Sequence, residues 1–243
     1  MAPYRKRSIN DRIQTVRKAT TTALARPAVL TALSKKQYNG AALNAGKSLA
    51  DTADSKIIST TAYRGDQIVA TEYVGDCEKA ARSTAGLFAK LARAVFSDRP
   101  ELLAILGLDQ AVPKRRADFI TAAKKMFNTS HGNSVITDRL AANEWTGSEF
   151  SQARSKVSEL EAALAAQGQC KTDWQDASEH QRTALKAMDN WMAKFIKIAR
   201  VVFADQKQQL EQLGVVGRTA LTRKQRAARA KKKQSKAVVK KAA

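Results

Sequence analysis

The feature that most constrains the fold is a similarity of the chain to itself at an offset of 107 residues. Residues 88–107 lie over residues 195–214, and ten of these twenty aligned positions are identical. The same offset, without a gap, places Tyr38 on Trp145 and continues through most of a repeat. Self-similarity at a fixed spacing is typical of a repeated structural unit. The sequence therefore predicts a tandem duplication of a unit of about 107 residues.

The composition assigns this unit to the all-α class. Aromatic residues make up 6% of the chain, there are four prolines, and long stretches are rich in Ala, Lys, Leu and Gln, which favours helices over a sheet. The predicted divisions are a helical-bundle repeat at 1–108, a linker at 109–114, a second helical-bundle repeat at 115–215 and a basic, disordered tail at 216–243.

Helix-stopping residues recur at equivalent places in the two repeats. They predict a first helix at 9–25 and 115–128, short pieces reaching 36 and 143, helices at 41–60 and 148–167, long helices at 66–97 and 173–204, and closing helices at 100–106 and 207–213. The break before each long helix is predicted at Gly65-Asp66 and Thr172-Asp173, whose residue types suit a helix N-terminus. Asp98 and Asp205 are expected to cap the closing helices.

The long helices carry an apolar stripe with helical spacing. Phe88, Val95 and Phe96 belong to the stripe of the first repeat, and Phe195 and Phe203 to that of the second. The spacing predicts that this face is buried in each bundle. The two repeats would then either pack about a pseudo-twofold axis or stand as linked lobes.

Charge is distributed unevenly along the chain. The formal net charge is +21, from 43 Lys and Arg against 22 Asp and Glu. Residues 1–36 contribute +8, residues 218–243 contribute +11, and the residues between them contribute +2. A nearly neutral middle between two basic ends predicts a polyanion as partner, either nucleic acid or another anionic surface.

The tail is the most function-like segment, with eleven positive charges in 26 residues and no acid. Its composition resembles the lysine- and alanine-rich tails of linker-histone-like and other nucleoid-associated proteins, which implies sequence-independent contacts with a phosphate backbone. A solubilising tail is the alternative. The predicted nucleic-acid contacts in the tail are Arg218, Arg223, Lys224, Arg226, Arg229, Lys231, Lys232, Lys233, Lys236, Lys240 and Lys241.

The first helix of each repeat is basic as well, which predicts a second set of contacts. A lipid surface is a weaker fit, because the apolar face formed by Ile9, Ile13 and Val16 lacks the Trp or Phe that favours insertion at an interface. The predicted nucleic-acid contacts here are Arg5, Lys6, Arg7, Arg12, Arg17 and Lys18 in the first repeat, with Lys124 and Lys125 in the second.

Signatures of an enzyme are missing from the sequence, which has no Gly-rich phosphate loop, no nucleophile elbow and no Cys-x-x-Cys pair. His131 and His180 are interpreted as a turn residue and a helix-surface residue. The repeated carboxylates could form a dimetal site, but the Glu-x-x-His motif of such bundles is absent. We therefore expect no catalytic residue, no metal, no cofactor and no small-molecule substrate. The carboxylates in question are Asp66, Glu72, Asp173 and Glu179.

These observations predict a non-enzymatic protein that binds nucleic acid through charge. The alternative is a structural protein in which the duplicated bundle forms an oligomer or filament and the tail is secondary. No apolar run is long enough to span a membrane, and Cys77 and Cys170 do not form a disulfide framework. We therefore expect a cytoplasmic protein, associated with the nucleoid if the source is prokaryotic.

Overall fold

A computed structural model describes Tyr4 and residues 7–215, and every regular element in this part of the chain is an α-helix. The all-α prediction is therefore confirmed. The helices are α1 (Ile9–Leu24), α2 (Pro27–Ser34), α3 (Gly40–Val95), α4 (Pro100–Leu106), α5 (Arg116–His131), α6 (Ser134–Ala141), α7 (Gly147–Val202) and α8 (Lys207–Gln212).

Each of the first four helices begins 107 residues before one of the last four. The connections show the same spacing. Left-handed backbone occurs at Gln37 and Glu144, with φ of 67° and 64°, and at Gly107 and Gly214, with φ of 71° and 69°. At Gly107 and Gly214 this conformation ends a helix, which is why glycine suits both places.

α3 and α7 are each 56 residues long and uninterrupted. The predicted breaks at Gly65-Asp66 and Thr172-Asp173 are therefore wrong. A glycine inside a helix costs only about 1 kcal/mol relative to alanine, and packing of the neighbouring turns outweighs that cost. α5 likewise continues to His131, beyond the predicted end at residue 128.

The predicted caps at Asp98 and Asp205 are also wrong. Arg99 and Gln206 occupy the cap positions of α4 and α8, without a side-chain cap. The Asp98 carboxylate instead accepts a hydrogen bond of 3.2 Å from Arg139, and this bond lowers the pKa of Asp98 below its usual value.

The helices divide into two compact units. The terminal unit comprises the described residues up to Lys56 together with those from Arg182 onward, and the central unit is Ile57–Gln181. Each unit takes residues from both predicted repeats, so the units and the repeats divide the chain differently. The repeat boundaries stay a prediction.

The core of the terminal unit is centred on aromatic residues of α7. The Trp191 ring stacks on Phe195, with centroids 5.2 Å apart. Tyr38 meets both rings edge-on, at 5.9 and 5.5 Å. Gly46 of α3 is buried against Trp191, because a Cβ at position 46 would lie 2.2 Å from its ring. α3 and α7 therefore approach each other closely here.

The core of the central unit is a second aromatic cluster, centred on Phe88. The Phe88 ring lies 5.2 to 5.8 Å from the rings of Phe127, Trp145 and Phe150. α3 and α7 run antiparallel in this unit, since Thr60 pairs with Ala177 and Thr71 with Gln167. The apolar stripe predicted from the spacing of the long helices is buried at its Phe88, Phe96, Phe195 and Phe203 positions.

Candidate nucleic-acid interface

Most of the predicted contacts lie outside the described residues. This applies to Arg5, Lys6 and all eleven basic residues of the tail, from Arg218 to Lys241. The structure places six of the predicted contacts: Arg7, Arg12, Arg17, Lys18, Lys124 and Lys125.

Arg12 is a half-buried residue of α1 that forms an ion pair with Asp189 of α7. The same carboxylate accepts a hydrogen bond of 2.9 Å from the Tyr4 hydroxyl. Burial, and next the bond to Asp189, raise the pKa of Tyr4 above its ordinary value. The charge of Arg12 is thus neutralised inside the unit and holds α1 against α7.

Arg17 performs a similar task between α1 and α3. Its guanidinium donates hydrogen bonds of 2.9 Å to Asp51 and 2.8 Å to Asp54. These two bonds raise the pKa of Arg17. Arg7 donates a 2.7 Å hydrogen bond to the Thr15 hydroxyl. These arginines therefore contribute to packing as well as to charge.

The predicted lysines differ from one another in their surroundings. Lys124 in α5 lies 2.6 Å from the carboxylate of Glu161, which compensates its charge. Lys18 and Lys125 are exposed, so both ammonium groups reach solvent. Lys18 belongs to the terminal unit, whereas Lys124 and Lys125 belong to the central unit.

The fold places the charge excess in one unit, which the order of residues along the chain does not reveal. Residues 7–56 and 182–215 of the terminal unit carry 15 Lys and Arg against 6 Asp and Glu, a net charge of +9. The central unit carries 15 against 16, a net charge of −1. Both basic ends of the chain are continuous in sequence with the terminal unit.

Exposed lysines supply much of this field. Lysine heads in water remain available to a phosphate, in contrast to guanidinium groups held by carboxylates. The exposed lysines of the terminal unit without an ion pair among the described residues are Lys18, Lys35, Lys36, Lys47, Lys186, Lys194, Lys197 and Lys207.

An open cleft of about 550 Å³ lies along α3 in the terminal unit. Its lining is polar throughout, and the one carboxylate in it, that of Asp51, is held by Arg17. Lysines and hydroxyls are the side chains that contact phosphate and sugar oxygens. The lining residues are Asn44, Lys47, Ser48, Asp51, Thr52, Ser55 and Lys56.

The carboxylates considered as a dimetal site do not come together. Throughout residues 7–215, no three His, Cys, Asp or Glu side chains are close enough to hold a metal ion. Asp66, Glu72, Asp173 and Glu179 all lie on the central unit. The same stretch contains no helix that is both long and apolar enough to cross a membrane.

Comparison of the chain with protein-family models, with curated proteins and with solved structures finds no match.

Sequence reasoning missed the acidic partners of the basic helices. Asp189 lies 177 residues from Arg12 along the chain, and Arg82 stands at the equivalent place in the first repeat. The guanidinium of Arg82 lies over the Phe119 ring, 4.3 Å from its centroid. The two repeats thus use different chemistry at equivalent positions, so their comparison gave no signal for the Arg12–Asp189 pair.

Proposed function

We propose that this protein binds nucleic acid through charge, without catalysis, and that the terminal unit with the two basic chain ends is the binding region. The observation that carries the proposal is the separation of charge, +9 on the described part of the terminal unit and −1 on the central unit. A concentrated positive field attracts a polyanion and weakens as salt screens it.

Contacts of this kind are independent of base sequence. Lysine and arginine neutralise phosphates and release counterions, whatever bases lie between them. The residues proposed to act are the tail residues from Arg218 to Lys241, the basic residues Arg5, Lys6 and Arg7, and the exposed lysines of the terminal unit. Such a role suits the cytoplasm, or the nucleoid in a prokaryote.

We also propose that the chain arose by tandem duplication. The proposal is supported by the helix starts, which recur 107 residues apart, and by equivalent contacts in the two units. Tyr38 packs on Phe195 in one unit, and the equivalent Trp145 packs on Phe88 in the other. Each unit would then join the first half of one repeat to the second half of the other.

The binding proposal is tested by the affinity for random double-stranded DNA across a salt series. The full chain is compared with a chain ending at Gly217, which retains every described helix. We expect the full chain to bind with a steep salt dependence, and the slope to fall by up to about 10 when the eleven tail charges are removed. Absence of binding by the full chain at low salt would refute the proposal.

A further inference from the structure

A continuous stripe of exposed residues follows α3 in the central unit. Every member is exposed, and the spacing of three or four residues keeps them on one face of the helix. Its four large members are 55 to 67% exposed. The α3 stripe consists of Ile58, Ala62, Gly65, Val69, Tyr73, Asp76, Ala80, Ser83 and Leu87.

The fold itself does not require apolar residues on this face. The buried residues Val74, Ala81 and Phe88 lie on another side of α3. At the equivalent places of α7, Val69 is replaced by Asp176, Tyr73 by His180 and Leu87 by Lys194. An exposed apolar face without a role inside the chain is typical of an interaction surface.

Glycines on the same side of α3 add a second observation. Gly65, Gly75 and Gly86 each have open space where a Cβ would stand. Glycine weakens a helix relative to alanine, and no packing inside the chain requires it at these three places. Small residues beside large apolar ones allow the backbone of another helix to approach closely.

From these observations we propose that the α3 stripe is the surface through which two copies of this chain pair, with their α3 helices antiparallel. An antiparallel pairing centred between Glu72 and Tyr73 brings Ile58 of one copy to Leu87 of the other, and Gly65 to Ala80. Large residues thus meet large ones and small residues meet small ones. Self-complementarity of one patch is what a twofold interface requires.

Electrostatics favours a second copy at this face over any other face of the chain. Two molecules of net charge +21 repel each other, but the stripe lies on the unit whose net charge is −1. Pairing there leaves the terminal unit of each copy free for a polyanion. Two linked binding regions would then engage one polyanion with an affinity that exceeds that of either alone.

The proposal is tested by sedimentation velocity on the full chain in about 0.5 M salt, where phosphate contacts are weak. We expect a concentration-dependent dimer of twice the 26.5 kDa chain mass. Val69→Asp with Tyr73→His introduces the residues that α7 carries at the equivalent positions, so the fold should tolerate them. We expect this double variant to weaken dimerisation at least about tenfold.

The matched control is Val135→Asp, at a side chain of the same unit that is 55% exposed and lies outside the stripe. It should leave the dimer intact. A monomer at all concentrations would overturn the proposal, and so would a dimer that the double variant does not weaken. Circular dichroism verifies that both variants keep their helices.

Orientation is tested by cross-linking in a Cys170→Ser background, in which the remaining Cys77 is buried. Ile58→Cys and Leu87→Cys chains are treated with a short bismaleimide, separately and after mixing. An antiparallel pair predicts cross-linked dimers only in the mixture. Cross-linking of each variant alone would show a parallel pair and overturn the proposed geometry.

Discussion

Single residues at equivalent positions of the two units exchange size and charge. Gly46 lies against Trp191 in the terminal unit, whereas the equivalent residues in the central unit are Ala153 and Thr84. One position becomes smaller where its neighbour becomes larger, so the space between α3 and α7 stays filled. Close packing of this kind makes even one methyl group matter.

This compensation predicts a change of sign for one substitution. Gly46→Ala should lower the free energy of unfolding by about 1–3 kcal/mol, since the new Cβ overlaps the Trp191 ring. In a Trp191→Thr background the same change should be stabilising by about 0.5–1 kcal/mol, since alanine favours the helix. Urea unfolding of the four chains measures both values. Equal effects in the two backgrounds would show that Trp191 does not set the requirement for glycine.

At the scale of elements, ion pairs tie the shorter helices to the long ones. In the central unit, Glu78 of α3 accepts hydrogen bonds of 2.8 Å from Arg82 and 2.7 Å from Arg116 of α5. Burial alone would raise the pKa of Glu78, but the two guanidinium groups outweigh it and the pKa is lowered. The carboxylate therefore favours the folded state only while it is ionised.

The lowered pKa of Glu78 gives a defined pH dependence. Its contribution is present above the unfolded-state pKa of about 4.3 and is lost as the pH falls through the lower folded-state pKa. Glu78→Gln should therefore destabilise the chain most near neutral pH, and the difference from wild type should shrink towards about pH 3. Thermal unfolding between these limits measures the difference.

The control for this prediction is Glu101→Gln. The Glu101 carboxylate is 57% exposed and lies 3.7 Å from Arg99, so an effect near zero is expected at every pH. A constant difference between wild type and Glu78→Gln across the range would show that the charge of Glu78 does not stabilise the fold.

Elements also show how far the sequence alone could lead. The stops at Pro27, Pro100 and Gly107 were predicted correctly, because proline and glycine act on the backbone locally. The break at Gly65 was not, because a single glycine weakens a helix by less than packing stabilises it. The residues that pair with Arg12 and Arg17 depend on which helices meet, and no local pattern records this.

At the scale of the whole molecule, the distribution of charge depends on how the chain divides into units. Residues 37–217 carry a net charge of only +2 in sequence, which hides the difference between the two units. That difference exists because the ends of α3 and α7 that belong to the terminal unit are poorer in acids than their middles. The polyanion partner could therefore be predicted from composition, whereas the face that meets it could not.

The repeat supplies matched sets of lysines for the most direct test. Lys18, Lys186 and Lys197 are exposed on the terminal unit, and their equivalents Lys125, Lys79 and Lys90 are exposed on the central unit. Converting either set to glutamine removes three charges from the same positions of the repeat. Any difference in binding then reports the location of the charges and not their number.

The decisive measurement is the affinity of the two triple variants for random double-stranded DNA as a function of salt. We predict that the terminal-unit variant loses affinity and that its salt slope falls by up to about 2.7, while the central-unit variant binds as the wild type does. Equal losses in the two variants, or a larger loss in the central-unit variant, would contradict binding through the terminal unit.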